Sequence, residues 1–165
     1  MRLEAPSLRR LDEFLAAVRR SRKLHGSWVS APLTPTAYRA YLRRLRDERH
    51  VGYLVCLRDS GELVGVVNIS EIVRGGFQSG YLGYYAFAPF ERRGLMAEGL
   101  SLVIDQAFRT LGLHRLEANV QPDNTASVGL VRRLGFRREG YSPRYLRIRG
   151  RWRDHERWAV VADQR

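Results

Sequence analysis

Between Pro35 and Leu111 the apolar residues change period twice, and that double change constrains the fold more than any other feature of the chain. Gly52 to Arg58 and Leu63 to Ile69 are short apolar runs separated by Asp59-Ser60-Gly61-Glu62, a pattern that predicts a β-hairpin. A third strand is expected over about Phe77 to Phe87, after the Gly75-Gly76 break. Then Met96, Leu100, Val103, Ile104, Ala107, Phe108 and Leu111 recur at helical spacing, which predicts a long amphipathic helix from about Gly94 to Leu111. Arg115 to Val120 reads as a strand, and Thr125 to Leu134 as a helix capped by Asn124 and stopped by Gly135. Phe136 to Ile148 and Trp152 to Val161 read as two strands joined at Arg149-Gly150.

Ahead of Gly52 the period is helical. Leu11, Phe14, Leu15 and Val18 mark a helix from Leu8 to Lys23 with Ser7 as its N-cap. Thr34-Pro35 opens a second helix that runs to about Glu48. The order is β-α-α-β-β-β-α-β-α-β-β. It predicts an α/β (α+β) fold with a mixed central β-sheet and helices on both faces. The first half lacks strict βαβ alternation, which excludes a doubly wound dinucleotide fold. A length of 165 residues fits one domain, taken as 1–165.

The lone cysteine, Cys56, rules out an intramolecular disulfide and reads as a buried strand thiol, since no histidine lies near it in sequence. No run approaches the ~20 apolar residues of a membrane helix. Met1 to Pro6 lacks the apolar core of a signal peptide, so a soluble, cytoplasmic protein is expected. The net charge is +12, and all 29 basic residues but Lys23 are arginine. That excess favours polyanionic ligands: nucleic acid, a ribosomal surface or a multiply phosphorylated cofactor.

The junction Ala86 to Glu98 feeds a strand through a basic, glycine-bearing turn into the long helix. Amides at a helix N-terminus have no intrahelical acceptor and point outward with the positive end of the dipole. A diphosphate suits such a site, and Gly94 permits close approach to the backbone.

Several separated motifs extend that reading. Gly80-Tyr81-Leu82-Gly83-Tyr84, the basic turn and its helix, Asn119, Pro122 to Ser127, and Leu134-Gly135-Phe136 resemble the Gcn5-related N-acetyltransferase (GNAT) superfamily. Val73-Arg74-Gly75, Gly94-Leu95-Met96, Glu139-Gly140-Tyr141 and Trp152-Arg153-Asp154-His155 resemble its RimJ/RimL branch of ribosomal-protein N-terminal acetyltransferases. The likeness covers about Leu63 to His155; the first fifty residues match in layout only.

The resemblance implies an acetyl-CoA-dependent N-acetyltransferase that uses no metal. It implies that backbone groups of Ala86, Phe87 and Ala88 bond the pantetheine arm, and that Arg92, Arg93, Gly94, Leu95, Met96 and Ala97 wrap the pyrophosphate. It also implies that Asn124 contacts pantetheine and that Ser127 is a proton donor to the leaving thiolate. Two residues depart from the superfamily pattern: Glu91 puts a negative charge near the phosphates, and Met96 replaces a small residue, as in the RimJ branch. Where RimL relatives carry a glutamate base, this chain has Leu146.

A protein α-amine titrates near 8 and a lysine near 10.4, so an N-terminal amine is the easier nucleophile and a strong base is not compulsory. Glu71 is the leading base candidate, the alternative being an exposed loop carboxylate. Tyr84 and Tyr145 are candidates to line the acceptor site, or strand residues that only pack. Trp28 either caps the acceptor cleft or pins its loop to the core. His114 reads as structural.

The expected acceptor is a protein N-terminus, with a ribosomal protein foremost and the enzyme a monomer or homodimer. A small amine, polyamine or antibiotic is the alternative acceptor. Arg43 to Arg49 and Arg144 to Arg153 also permit a non-catalytic RNA- or ribosome-binding module.

Overall fold

In the computed structural model, which describes residues 1–164, seven strands form one sheet in the order β1-β2-β3-β4-β5-β7-β6. The strands are β1 Arg2–Glu4, β2 Val51–Cys56, β3 Leu63–Val73, β4 Ser79–Ala86, β5 Arg115–Val120, β6 Arg137–Ile148 and β7 Arg151–Val161. All neighbours pair antiparallel except β4 and β5. The helices are α1 Leu11–Arg20, α2 Arg22–His25, α3 Pro35–Arg44, α4 Leu95–Arg109 and α5 Thr125–Arg133. α1 and α3 pack on one face around Phe14, Tyr38, Val66 and Phe87. α4 and α5 pack on the other around Leu100, Ile104, Leu116 and Val131. The mixed sheet with helices on both faces is the architecture expected from the sequence. No helix among the described residues is long and apolar enough to cross a membrane.

Local chemistry accounts for most boundaries. The Thr34 side chain accepts the Ala37 amide at 3.2 Å with Pro35 following, so α3 begins where a cap and a proline coincide. Asn124 caps α5 the same way, taking the Ser127 amide at 3.2 Å. The β6–β7 turn places Arg149 (φ 48°) and Gly150 (φ 80°) in left-handed backbone, the two-residue geometry that matches strand twist.

Four expectations need correction. The first helix is not continuous from Leu8 to Lys23: a 3₁₀ turn, Leu8–Arg10, precedes α1, and the chain breaks at Ser21 before α2. Ser7 makes no side-chain cap. Buried Ser21 donates to the Ala17 carbonyl at 2.6 Å and accepts the Ala88 amide at 2.9 Å; a side chain bonded four residues back bends a helix. The second helix stops at Arg44 rather than about Glu48. β3 does not end near Ile69 but runs to Val73 through an irregularity between Ser70 and Val73.

Two glycines set the spacing between α4 and the sheet. A Cβ on Gly65 would lie 2.3 Å from Met96 Sδ and 2.6 Å from the Tyr85 carbonyl; one on Gly99 would lie 2.4 Å from Val55 Cγ1. Gly65→Ala is therefore expected to destabilise the fold by about 1–3 kcal/mol, as overpacking does, and chemical denaturation would measure it. Destabilisation near zero would show that Met96 and the strand give way freely.

Two buried tyrosines, Tyr38 and Tyr41, and two half-buried ones, Tyr84 and Tyr85, give the fold an alkaline limit. Burial pushes Tyr38 and Tyr84 up to about 12 and raises Tyr41 and Tyr85 as well. Above pH ~10 the unfolded chain loses these protons while the folded chain keeps them, so stability falls as pH rises. The melting temperature should drop steeply between pH 9 and 11; a flat profile would contradict the burial.

Candidate active site

The parallel register of β4 and β5 ends at Tyr81 and Glu117, although β4 continues to Ala86 and β5 to Val120. The two strands splay there. The Phe87 amide donates to the Val64 carbonyl on β3 at 2.7 Å. Strand alternation therefore turns the amides of Tyr84 and Ala86 the other way, toward the edge that β5 leaves open. A cleft of about 540 Å³ opens at this splay. It lies between the N-terminal ends of α4 and α5, with α2 and the loop after it forming the outer wall.

Arg92, Gly94, Met96 and Ala97 line the α4 end. Gly94 is the N-cap in left-handed backbone (φ 78°), and no side chain caps the helix, so its first amides have no side-chain acceptor. Arg133, at the last turn of α5, brings a second guanidinium to the same lining. Asn124, Ala126 and Ser127 form the α5 wall. The Tyr84 hydroxyl and Ser127 Oγ are 2.7 Å apart inside the cleft. Burial holds Tyr84 near pKa 12, so its phenol stays protonated through the neutral range.

His25 and Trp28 close the opposite wall. His25 Nε2 lies 2.8 Å from the Ala86 carbonyl, and a carbonyl only accepts, so this nitrogen carries the proton. Desolvation lowers the His25 pKa against the raising effect of that bond, and the charge of Arg149 lowers it further. Arg149 also donates to the Val29 carbonyl at 3.1 Å, so the β6–β7 turn clasps the cleft-lining loop.

Of the residues singled out from sequence, Trp28, Tyr84, Ala86, Arg92, Gly94, Met96, Ala97, Asn124 and Ser127 converge on this cleft. The others do not. Phe87 is fully buried under α1, and its carbonyl takes the Phe90 amide. The Ala88 amide and carbonyl are engaged by Ser21 and Arg20. The α1–α2 segment thus occupies the polar groups expected to bond pantetheine, and the open donors at this edge are the amides of Tyr84 and Ala86. Arg93 turns outward, its guanidinium 5.8 Å from the Phe90 ring, and Leu95 packs toward the core. Glu91 does not line the cleft, and its buried Oε2 has no hydrogen-bond partner among the described residues.

Glu71 sits on the β3 irregularity with φ 49°, exposed and 3.9 Å from both Arg49 and His50. It lies beside the start of β4, whereas the cleft lies at that strand's end. Tyr145 shares a hydrogen bond with Tyr81 and packs edge-on to His155 at 6.3 Å, also outside the cleft. Sequence reasoning missed Leu24, His25, Tyr85 and Arg133. The two from α2 had no legible signal, because a four-residue helix carries no period. Arg133 was legible only as a basic residue at a helix end.

The donors at the α4 N-terminus, two lining arginines and a strand edge with free amides fit a cofactor carrying a diphosphate and an amide-bearing arm. The acetyltransferase (GNAT) domain family matches residues 1–137. The probable N-acetyltransferase YjcK of Bacillus subtilis is 33% identical over 121 residues, 73% of this chain and 67% of that one. The [ribosomal protein uS5]-alanine N-acetyltransferase of Escherichia coli is 46% identical over 97 residues, 59% of this chain and only 50% of that enzyme. The structure of Mycobacterium smegmatis RimJ in complex with CoA-disulfide is 27% identical, with a TM-score of 0.89 over 98% of this chain and 81% of that one. The chain belongs to the GNAT family of acetyl-CoA-dependent N-acetyltransferases.

Proposed function

We propose that the protein transfers the acetyl group of acetyl-CoA to the α-amine at a polypeptide N-terminus, with a ribosomal protein as the acceptor. The observation that carries this reading is the charge of the cleft: among the described residues no carboxylate lines it, and Arg92 and Arg133 do. The several ammonium groups of a polyamine or aminoglycoside therefore find no carboxylate partner in the cleft. An α-amine with a reference pKa of about 8 supplies its own neutral fraction and requires no carboxylate base. The uS5-alanine acetyltransferase relative supports a protein acceptor. So do the exposed Arg144, Arg147, Arg149 and Arg151 of the β6–β7 hairpin, a cationic edge suited to an RNA-rich particle.

Acetyl-CoA supplies a thioester whose acetyl carbon is open to attack by an amine. In this reading the free amides leading into α4, with Arg92 and Arg133, hold the phosphates. The amides of Tyr84 and Ala86 and the side chain of Asn124 align the pantetheine arm. The Tyr84–Ser127 pair holds the proton delivered to the departing sulfur. The apolar walls formed by Trp28, Phe90 and Leu130 exclude water from the splay. Glu71 has no part in it.

A thiol-release assay against Ala-, Ser- and Met-initiated peptides, alongside spermidine and an aminoglycoside, tests the acceptor. Peptide turnover exceeding that of the small amines is expected. Turnover of the small amines alone would defeat the proposal.

A further inference from the structure

Where β4 and its extension outrun β5, the open edge presents its polar groups in a fixed order: the N–H and C=O of Tyr84, then those of Ala86, then those of Ala88. Phe87 faces the other way, its amide on the Val64 carbonyl. The far end of this edge is closed by side chains of the α1–α2 segment. Ser21 Oγ accepts the Ala88 amide at 2.9 Å, Arg20 donates to the Ala88 carbonyl, and His25 Nε2 donates to the Ala86 carbonyl at 2.8 Å. These three side chains stand where a paired strand would stand.

The boundary falls within Ala86. Its carbonyl is taken and its amide faces the cleft, so His25 is the last protein group before the edge opens. The Ala86–Phe87 peptide is bonded at both ends, by His25 at its oxygen and by Val64 at its nitrogen. A peptide plane held from two sides cannot swing, and the edge beside it is held with it. The donor is itself fixed: the buried His25 ring packs edge-on against Tyr85 at 5.2 Å and beside Phe87 at 6.1 Å. Such support from packed neighbours is what a preorganised site requires.

We propose that His25 is a positioning residue of the acetyl transfer: by closing the Ala86 carbonyl it leaves the cofactor's arm one register on the strand edge, the one that brings the thioester to the Tyr84–Ser127 pair. The inference rests on the reading that the arm lies along the Tyr84 and Ala86 amides, and it is independent of which amine accepts the acetyl group. With both polar groups of Ala86 free, an amide of the arm would find a partner there through its N–H or through its C=O. With the carbonyl occupied, only a C=O of the arm finds one, on the Ala86 amide. The choice matters because a displacement of about 1 Å at a reacting centre costs about 100-fold in rate.

Three variants test it. His25→Leu keeps bulk and removes the donor, His25→Asn stays polar but stops short of the carbonyl, and His25→Gln places an N–H near the position of Nε2. With the amine that the wild type acetylates fastest, the first two should lower kcat about tenfold or more while the KM for acetyl-CoA rises no more than about threefold. His25→Gln should recover most of that loss. Wild-type kcat in His25→Leu, or no recovery in His25→Gln, overturns the role. Protonation leaves the Nε2–H in place, so the pH profile of kcat should be the same in the wild type and His25→Gln. The groups around the ring are Tyr85 of β4, Arg149 of the β6–β7 turn, and Arg92 and Arg133 on the cleft lining. An acidic limb that His25→Gln abolishes would make His25 a proton carrier and overturn the positioning role. Hydrogen exchange at the Ala86 amide separates this inference from the reading beneath it. Acetyl-CoA should slow that exchange in the wild type. If it does not, the arm lies elsewhere and both fall; if it does while His25→Leu keeps wild-type kcat, only the role of His25 falls.

Discussion

Gly94→Val is expected to weaken acetyl-CoA binding by about 100-fold or more, roughly 3 kcal/mol, while thermal stability changes much less. The asymmetry follows from geometry. Gly94 caps α4 in left-handed backbone at φ 78°, is exposed, and, its own chain neighbours aside, has no atom of the described residues within 4 Å of a would-be Cβ. A valine there meets no protein atom and costs only the backbone strain of a branched residue in the left-handed region, about 1–2 kcal/mol. The same side chain, however, stands over the amides that open α4, where the phosphates must approach the backbone. Calorimetry with acetyl-CoA beside a melting curve separates the two effects. Equal loss of binding and stability would mean that Gly94 serves the fold rather than the phosphates.

Ser127→Ala is expected to lower kcat by about 100-fold, the usual scale for losing a positioned proton donor, with the KM for acetyl-CoA little changed. Tyr84→Phe should lower kcat in the same direction. Because the two hydroxyls are 2.7 Å apart and, as proposed, act as one unit, the double variant should be little worse than Ser127→Ala alone. The pH profile adds an independent readout. Burial pushes Tyr84 up to about 12, so the neutral, donating form persists across the working range. The rate should rise through the titration of the acceptor α-amine near 8 and show no descending limb below pH ~10. Additive losses, or an alkaline limb that Tyr84→Phe abolishes, would contradict the pairing.

The outcome for Glu71 illustrates how a sequence argument can fail through register. Glu71 stood out as a base because the apolar run of its strand stops at Ile69, which would put it in the loop beside the acceptor cleft. β3 instead continues through an irregularity to Val73, and a residue on such an irregularity is re-aimed. Glu71 ends among Arg49 and His50, at the opposite end of β4 from the cleft. Ala88 illustrates a different limit. Its backbone groups were expected to serve a ligand, and Ser21 and Arg20 occupy them from some 67 residues away in sequence. Nothing local to Ala88 reveals that competition.

Much was nonetheless legible before any coordinates. Apolar patterning located β2, most of β3 and α4, because the spacing of apolar residues records which side of an element is buried. Capping chemistry placed the starts of α3 and α5, because a short polar side chain before a helix satisfies amides that have no other acceptor. The turn at Gly94 was legible locally as a helix start with unpartnered amides, and only the resemblance to a known family pointed to Arg92 to Ala97 as a phosphate site. Asn124 and Ser127 were legible both as cap and as wall, and the structure has them as both.

Tertiary structure alone decided three things: where β4 and β5 part, which hydroxyls meet, and what encloses the space between them. The splay depends on the register of two strands separated by α4, and no residue within either strand encodes it. Tyr84 meets Ser127 across 43 residues of chain. His25 and Trp28 reach the cleft from an interrupted helix whose break is set by a contact with Ala88. Short-range backbone and hydrophobic preferences are written residue by residue. The cleft is a product of pairings far apart in the chain, and those are fixed only when the whole sheet closes its packing on both faces.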